Sequence, residues 1–73
     1  MPTTDLSLTV NGHVHVLSPG VTVPDVLRHI GLDPEQTGIA VAVNDTVVRR
    51  RAWPESELND GDTVEVITAT QGG

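Results

Sequence analysis

Cysteine is absent from the 73 residues, which excludes a disulfide framework, a thiolate metal site and thiol chemistry on the chain's own side chains. Lysine is absent too, the four basic residues being Arg28, Arg49, Arg50 and Arg51. No side-chain amine is therefore available to capture an activated acyl group on the same chain. Phe and Tyr are missing, and Trp53 stands alone as a large aromatic, so the core must be aliphatic with one ring set over it. No apolar run approaches the roughly 20 residues that cross a membrane, and no signal peptide is read; a cytoplasmic location is expected. Positive charge is scarce, ten acidic residues opposing four Arg for a formal net charge of −6. Such a chain is repelled by nucleic acid and anionic membranes, and neither is expected as a partner. Arg49, Arg50 and Arg51 form the one basic cluster, readable as a solvated loop or as a contact for phosphate or an acidic partner.

What is abundant is aliphatic and β-branched. Val, Leu and Ile number 12, six and three, above the level at which disorder is expected and weighted towards strand formers. Leu6, Leu8 and Val10 alternate with Ser7 and Thr9, the mark of a half-buried strand. Asn11-Gly12 is a two-residue hairpin turn, and His13–Leu17 reads as the return strand with Val14 and Val16 inward. Thr22 and Asp25 form a capping pair with Pro24 in the first turn. Val23, Val26, Leu27 and Ile30 then make one helical face, closed by Gly31. Ile39–Val43 is apolar on both faces, a central strand. Asn44-Asp45 turns it into Thr46–Arg49. An irregular stretch carrying Trp53 leads through Asp60-Gly61-Asp62 into a last strand, Thr63–Thr68. The expected core is Leu6, Leu8, Val10, Val14, Val16, Val26, Leu27, Ile30, Val41, Val43, Leu58, Val64 and Val66, with Trp53 a plug over it. A right-handed crossover through the helix brings the last strand parallel to the first. The fold class is α+β, a ubiquitin-like β-grasp: a mixed, mainly antiparallel sheet of about five strands with one main helix.

Few residues carry chemistry. His13 and His15 share one face of a strand, half of a metal site, but no third ligand has supporting spacing and the face is read as outward. No metal site is expected. His29 lies beside the apolar helix stripe and reads as solvated. No catalytic triad, carboxylate pair or phosphate loop occurs, so the chain is not read as an enzyme. On the uncovered side of the sheet, Ala40, Ala42 and Ile67 form a shallow apolar patch suited to partner docking. The chain closes on Gln71-Gly72-Gly73. Without Cβ atoms Gly72 and Gly73 are thin enough to thread into a narrow active-site channel, followed by Gln71. The Gly73 carboxylate can attack the α-phosphate of ATP to give an acyl-adenylate, an acyl donor open to a thiolate or persulfide. The organisation is thus one domain over 1–68 and a flexible tail over 69–73.

The segment from Val43-Asn44 through Val47-Val48, Arg50, Trp53, Glu55 and Leu58 to Asp60-Gly61-Asp62, then Val64-Glu65-Val66 and Gln71-Gly72-Gly73, resembles the ThiS family, the sulfur carriers of thiamine biosynthesis. The Val10-Asn11-Gly12 turn and the short Val-rich helix are similar to it as well. Asp45 departs from the family's usual Gly, and Arg49 from a common Pro. The resemblance implies a carrier that binds no cofactor itself. An E1-like enzyme would adenylate Gly73 with ATP and magnesium. Sulfur from a donor such as a cysteine desulfurase persulfide would make the thiocarboxylate, and thiazole synthase would take the sulfur. The free carrier is expected to be a monomer. Two other readings remain open at this point: a sister carrier for molybdopterin or cysteine synthesis, and a β-grasp interaction or RNA-binding module without carrier chemistry.

Overall fold

The computed structural model describes residues 4–69. Five strands form one sheet: β1 (Leu6–Val10), β2 (His13–Leu17), β3 (Ile39–Val43), β4 (Thr46–Val48) and β5 (Thr63–Thr68), in spatial order β2-β1-β5-β3-β4. Only β1 and β5 pair in parallel; the other neighbours are antiparallel. A single helix, α1 (Val23–His29), crosses one face, and a 3-10 turn over Arg50–Glu55 packs beside it. This is the expected β-grasp, with the last strand parallel to the first.

Local chemistry sets each corner. In the first turn Asn11 and Gly12 both have positive φ, 49° and 84°, the backbone of a tight hairpin turn whose twist matches its strands. At the head of α1, the Asp25 carboxylate accepts from the Thr22 amide at 2.9 Å and from the Thr22 hydroxyl at 3.0 Å. The helix ends in a Schellman arrangement: Leu32 N–H donates to the Leu27 carbonyl at 2.8 Å and Gly31 N–H to Arg28 at 3.1 Å, with Gly31 at φ +90°. Leu32 folds back on the core, as this motif requires. Between β3 and β4, Asn44 and Asp45 take φ 50° and 71°, a conformation that favours Gly at the second position.

The core lies between α1 and the sheet. Leu8, Val10, Val26, Leu27, Val41, Leu58, Val64 and Val66 are buried, as expected, and Leu6, Ile30 and Val43 are half-buried against them. Val21, Val23 and Trp53 are buried too. Trp53 seals the end of the core: its indole N–H donates to the Val48 carbonyl at 2.9 Å, and the Arg50 guanidinium lies 4.3 Å above its ring. Arg50 also donates to the carbonyls of Pro34 and Gln36, tying the α1–β3 loop to the 3-10 turn. One member of the basic cluster is thus a structural clamp.

One assignment is reversed. Val14 and Val16 were expected inside, yet they are 68% and 59% exposed. The hairpin register explains it. A two-residue turn puts Val10 opposite His13, Leu8 opposite His15 and Leu6 opposite Leu17, and directly opposed residues share a face. The inward face of β2 is therefore His13, His15 and Leu17, and the histidines point to the helix side rather than outward.

The Asp60-Gly61-Asp62 turn pins β5 to its neighbours. Asp60 accepts from the Ser7 amide at 2.7 Å, and Gly61 N–H donates to the Ser7 carbonyl at 2.8 Å. Asp62 accepts from the Asn59 amide at 2.8 Å and from the Asn44 side chain at 2.9 Å. These motif residues build the fold.

Candidate functional site

Among the described residues no element covers the side of the sheet away from α1, and alternation decides what it shows. Val41 points into the core while Ala40 is exposed and Ala42 half-buried on the outer face. On β5, Val64 and Val66 are buried and Glu65 and Ile67 are exposed. The register places Ala40 opposite Ile67, and Ala42 opposite Glu65 on one side and Val47 on the other. The three patch residues therefore do share one face. Val47, missed in the sequence reading, extends the patch to the β4 edge. Ile67 and Val47 are 66% and 72% exposed, and with Val14 and Val16 they are the exposed large apolar side chains of the described residues. All four lie on this outer face, Val14 across from Thr9 and Val16 across from Ser7. The face thus has an apolar region around Ile67 and a second at the β2 edge, divided by Ser7, Thr9, Thr63 and Glu65. The β-hairpin register was the signal that would have found the second.

The strand leading to the C-terminus is held on both sides. On one, the Asn11 side chain accepts from the Val66 amide at 2.8 Å and donates to the Val66 carbonyl at 3.1 Å. That amide substitutes for a strand neighbour where β1 has already turned away. On the other, Thr68 pairs with Ile39, and the Ala69 N–H donates to the Gly38 carbonyl at 2.7 Å. Gly38 has φ +82°, and a Cβ there would lie 3.2 Å from the Ala69 carbonyl oxygen. Glycine is what allows this close approach. Gln71, Gly72 and Gly73 lie outside the described residues.

Electrostatics on the helix side are modest. The Asp25 carboxyl is held below its ordinary range, chiefly by the Thr22 amide and hydroxyl, against a small opposing effect of burial and with help from Arg28. Arg28 reaches Asp25 at 3.2 Å. An open cleft of about 470 Å³ runs past Pro24, Pro34, Arg50, Trp53 and Pro54. Among the described residues no three His, Cys, Asp or Glu gather to hold a metal, and no helix is long and apolar enough to cross a membrane.

Comparison with known proteins covers nearly the whole chain. The model of the ThiS family matches residues 7–73. The sulfur carrier protein ThiS of Thermus thermophilus is 38% identical over 64 residues, 88% of this chain and 95% of that protein. A thiazole synthase of Paramagnetospirillum magneticum is 29% identical over 68 residues, which are 93% of this chain but 20% of that protein. The crystal structure of the thiamine biosynthesis protein ThiS from Geobacter metallireducens superposes with a TM-score of 0.76 at 27% identity, covering 93% of this chain and all of that one.

Proposed function

This chain belongs to the ThiS family, and from that membership we propose how it works as a sulfur carrier of thiamine biosynthesis, a small carried substrate rather than a catalyst. The sulfur rides on Gly73. A carboxylate oxygen of Gly73 attacks the α-phosphorus of ATP in the active site of an E1-like enzyme, with magnesium on the phosphates, and pyrophosphate leaves. The resulting acyl-adenylate meets a persulfide, such as that of a cysteine desulfurase, and AMP leaves as the sulfur joins the carbonyl carbon. A thiol then splits the new S–S bond, and the terminal thiocarboxylate remains. Thiazole synthase draws on that thiocarboxylate. The residue inventory agrees with this route: with no Cys, the terminal carbonyl is the place for sulfur to travel, and with no Lys the adenylate has no side-chain amine of its own chain to react with.

The single observation that carries this reading is the family match through residue 73, which takes in the terminal Gly-Gly. Support for thiazole synthase as a partner comes from the relative that bears this name and contains a matching stretch as one fifth of its length. Ala40, Ala42 and Ile67 are the docking surface, joined by Val47. One face, on the strand that precedes the tail in the sequence, serves the activating and the sulfur-accepting enzyme in turn, so the two associations exclude each other.

Intact mass spectrometry of the chain taken from its native cell tests the carrier chemistry: a fraction of the protein should carry sulfur in place of one terminal oxygen. A variant lacking Gly73 should lose ATP–pyrophosphate exchange with the activating enzyme and keep its thermal midpoint. Exchange that persists without Gly73 overturns the assignment.

A further inference from the structure

We infer that His15 on β2 and His29 in the last turn of α1 form a site for a divalent transition metal, zinc being the reference ion. The inference stands apart from the carrier chemistry, since the two rings lie on the helix side of the sheet and Ile67 on the other.

The reversed hairpin face is what creates the site. Because Leu8 stands opposite His15, the imidazole of a half-buried His15 points towards α1, where the exposed His29 faces it. The ring centroids are 5.2 Å apart and the ring planes cross at 86°. That separation is the one an ion asks for. Two imidazole nitrogens about 2.0–2.1 Å from a tetrahedral zinc hold their ring centroids about 5 Å apart. Coordination leaves the angle between ring planes unconstrained, and χ2 of His is a soft torsion, so the exposed ring can turn a nitrogen to the shared position. Imidazole is a ligand for zinc, copper and nickel rather than for magnesium or calcium.

The surroundings permit an ion. His29, though not His15, borders an open hollow of about 500 Å³ with Leu17, Ser18, Asp25 and Arg28, so the outer side of its ring is open to water. Asp25 and Arg28 neutralise one another there, while the chain as a whole carries a formal charge of −6 and draws cations in. With two protein ligands the remaining positions fall to water, one protein ligand fewer than in a catalytic zinc site and two fewer than in a closed structural one. Bound to the native state, it clips the edge strand β2 to the helix, and so raises the unfolding midpoint by mass action.

The alternative is an edge-to-face contact of two rings with no ligand. Titration calorimetry of the full chain with zinc chloride separates the two, magnesium chloride serving as the reference. One zinc per chain should bind, with a raised thermal midpoint, and magnesium should give neither effect. H15Q and H29Q should each abolish the heat at the same concentrations, whereas H13Q should retain it. Zinc binding that survives H29Q overturns the proposal, as does the absence of zinc binding to the unaltered chain. Histidine ring signals in the NMR spectrum of the unaltered chain give a second measurement that needs no variant. The His15 and His29 signals should shift together on adding zinc, and a shift confined to His13 and His15 overturns the cross-element site.

Discussion

Gly38 and Ala69 meet where β5 ends, the Ala69 N–H donating to the Gly38 carbonyl at 2.7 Å and the Gly38 Cα lying so near the Ala69 carbonyl oxygen that a Cβ would stop 3.2 Å from it. This contact is the last one described before the chain runs on to Gly73. It fixes the backbone at Ala69.

Gly38→Ala should therefore both destabilise the domain and loosen that contact. A left-handed backbone costs a non-glycine residue about 1–2 kcal/mol, and the tight approach adds to it. Urea denaturation should register the loss, and hydrogen exchange should show the Ala69 amide less protected while that of Val66, held by Asn11, keeps its protection.

Asp25 predicts a particular acid limb. Its folded-state carboxyl titrates below the ordinary value because Thr22 hydrogen bonds favour the charged form. A carboxyl depressed on folding contributes stability that is present above the unfolded value, near 3.8, and is lost as pH falls through the folded one. Asp25→Asn should thus be less stable than the unaltered chain at neutral pH. The two denaturation curves should converge as pH drops through the carboxylate range.

The β2 face can be checked by paired truncations. Leu27 is fully buried, and Leu27→Ala should cost about 2–5 kcal/mol, a large part of the roughly 5 kcal/mol a domain this small can hold. Val14→Ala should change the midpoint by less than about 0.5 kcal/mol, as surface substitutions do. A Val14→Ala protein as damaged as Leu27→Ala would return Val14 to the core.

The proposed docking face has its own variant. Ile67→Asp sits on an exposed position, so circular dichroism should show a folded domain. Binding to the activating enzyme and to thiazole synthase should weaken together, because the proposed face serves both. Unchanged affinity for both would remove this surface and leave the role of Gly73 standing.

Asp45→Gly should stabilise. Asp45 holds φ 71° directly after Asn44 at 50°, and Asn-Gly is the pair this turn prefers. A gain of about 0.5–1 kcal/mol in denaturation is expected, with no effect on partner binding.

Much of this molecule is legible in its sequence because its strands alternate and its turns are explicit. The Leu6–Val10 alternation, the capping pair at Thr22 and Asp25, and the small-and-large pattern of Ile39–Val43 each name an element and its buried side. Val14 and Val16 mislead because alternation gives two equivalent faces, and only pairing selects one. The turn at Asn11-Gly12 contains that information through the Val10–His13 register. Val21 has no periodic context; it is buried in the core cluster, and its carbonyl accepts from the Leu58 amide at 2.9 Å, a loop-to-loop contact. Gly38 and Ala69 come together through the β3–β5 ladder, so nothing local marks either one. The patch at Ala40, Ala42 and Ile67 was readable from side-chain size, whereas Val47 needed the β4 register.

The position of β5 in the sheet has a mechanical consequence. A partner that draws the C-terminus into a channel pulls along β5, and this strand lies between β1 and β3. The load then acts along the strand and across two hydrogen-bonded ladders at once, in shear, where many bonds must yield together. An edge strand pulled from its end would instead peel, one bond at a time. A sheet loaded in this way is a stiff handle, one that holds its shape under a pull that would unzip an edge strand.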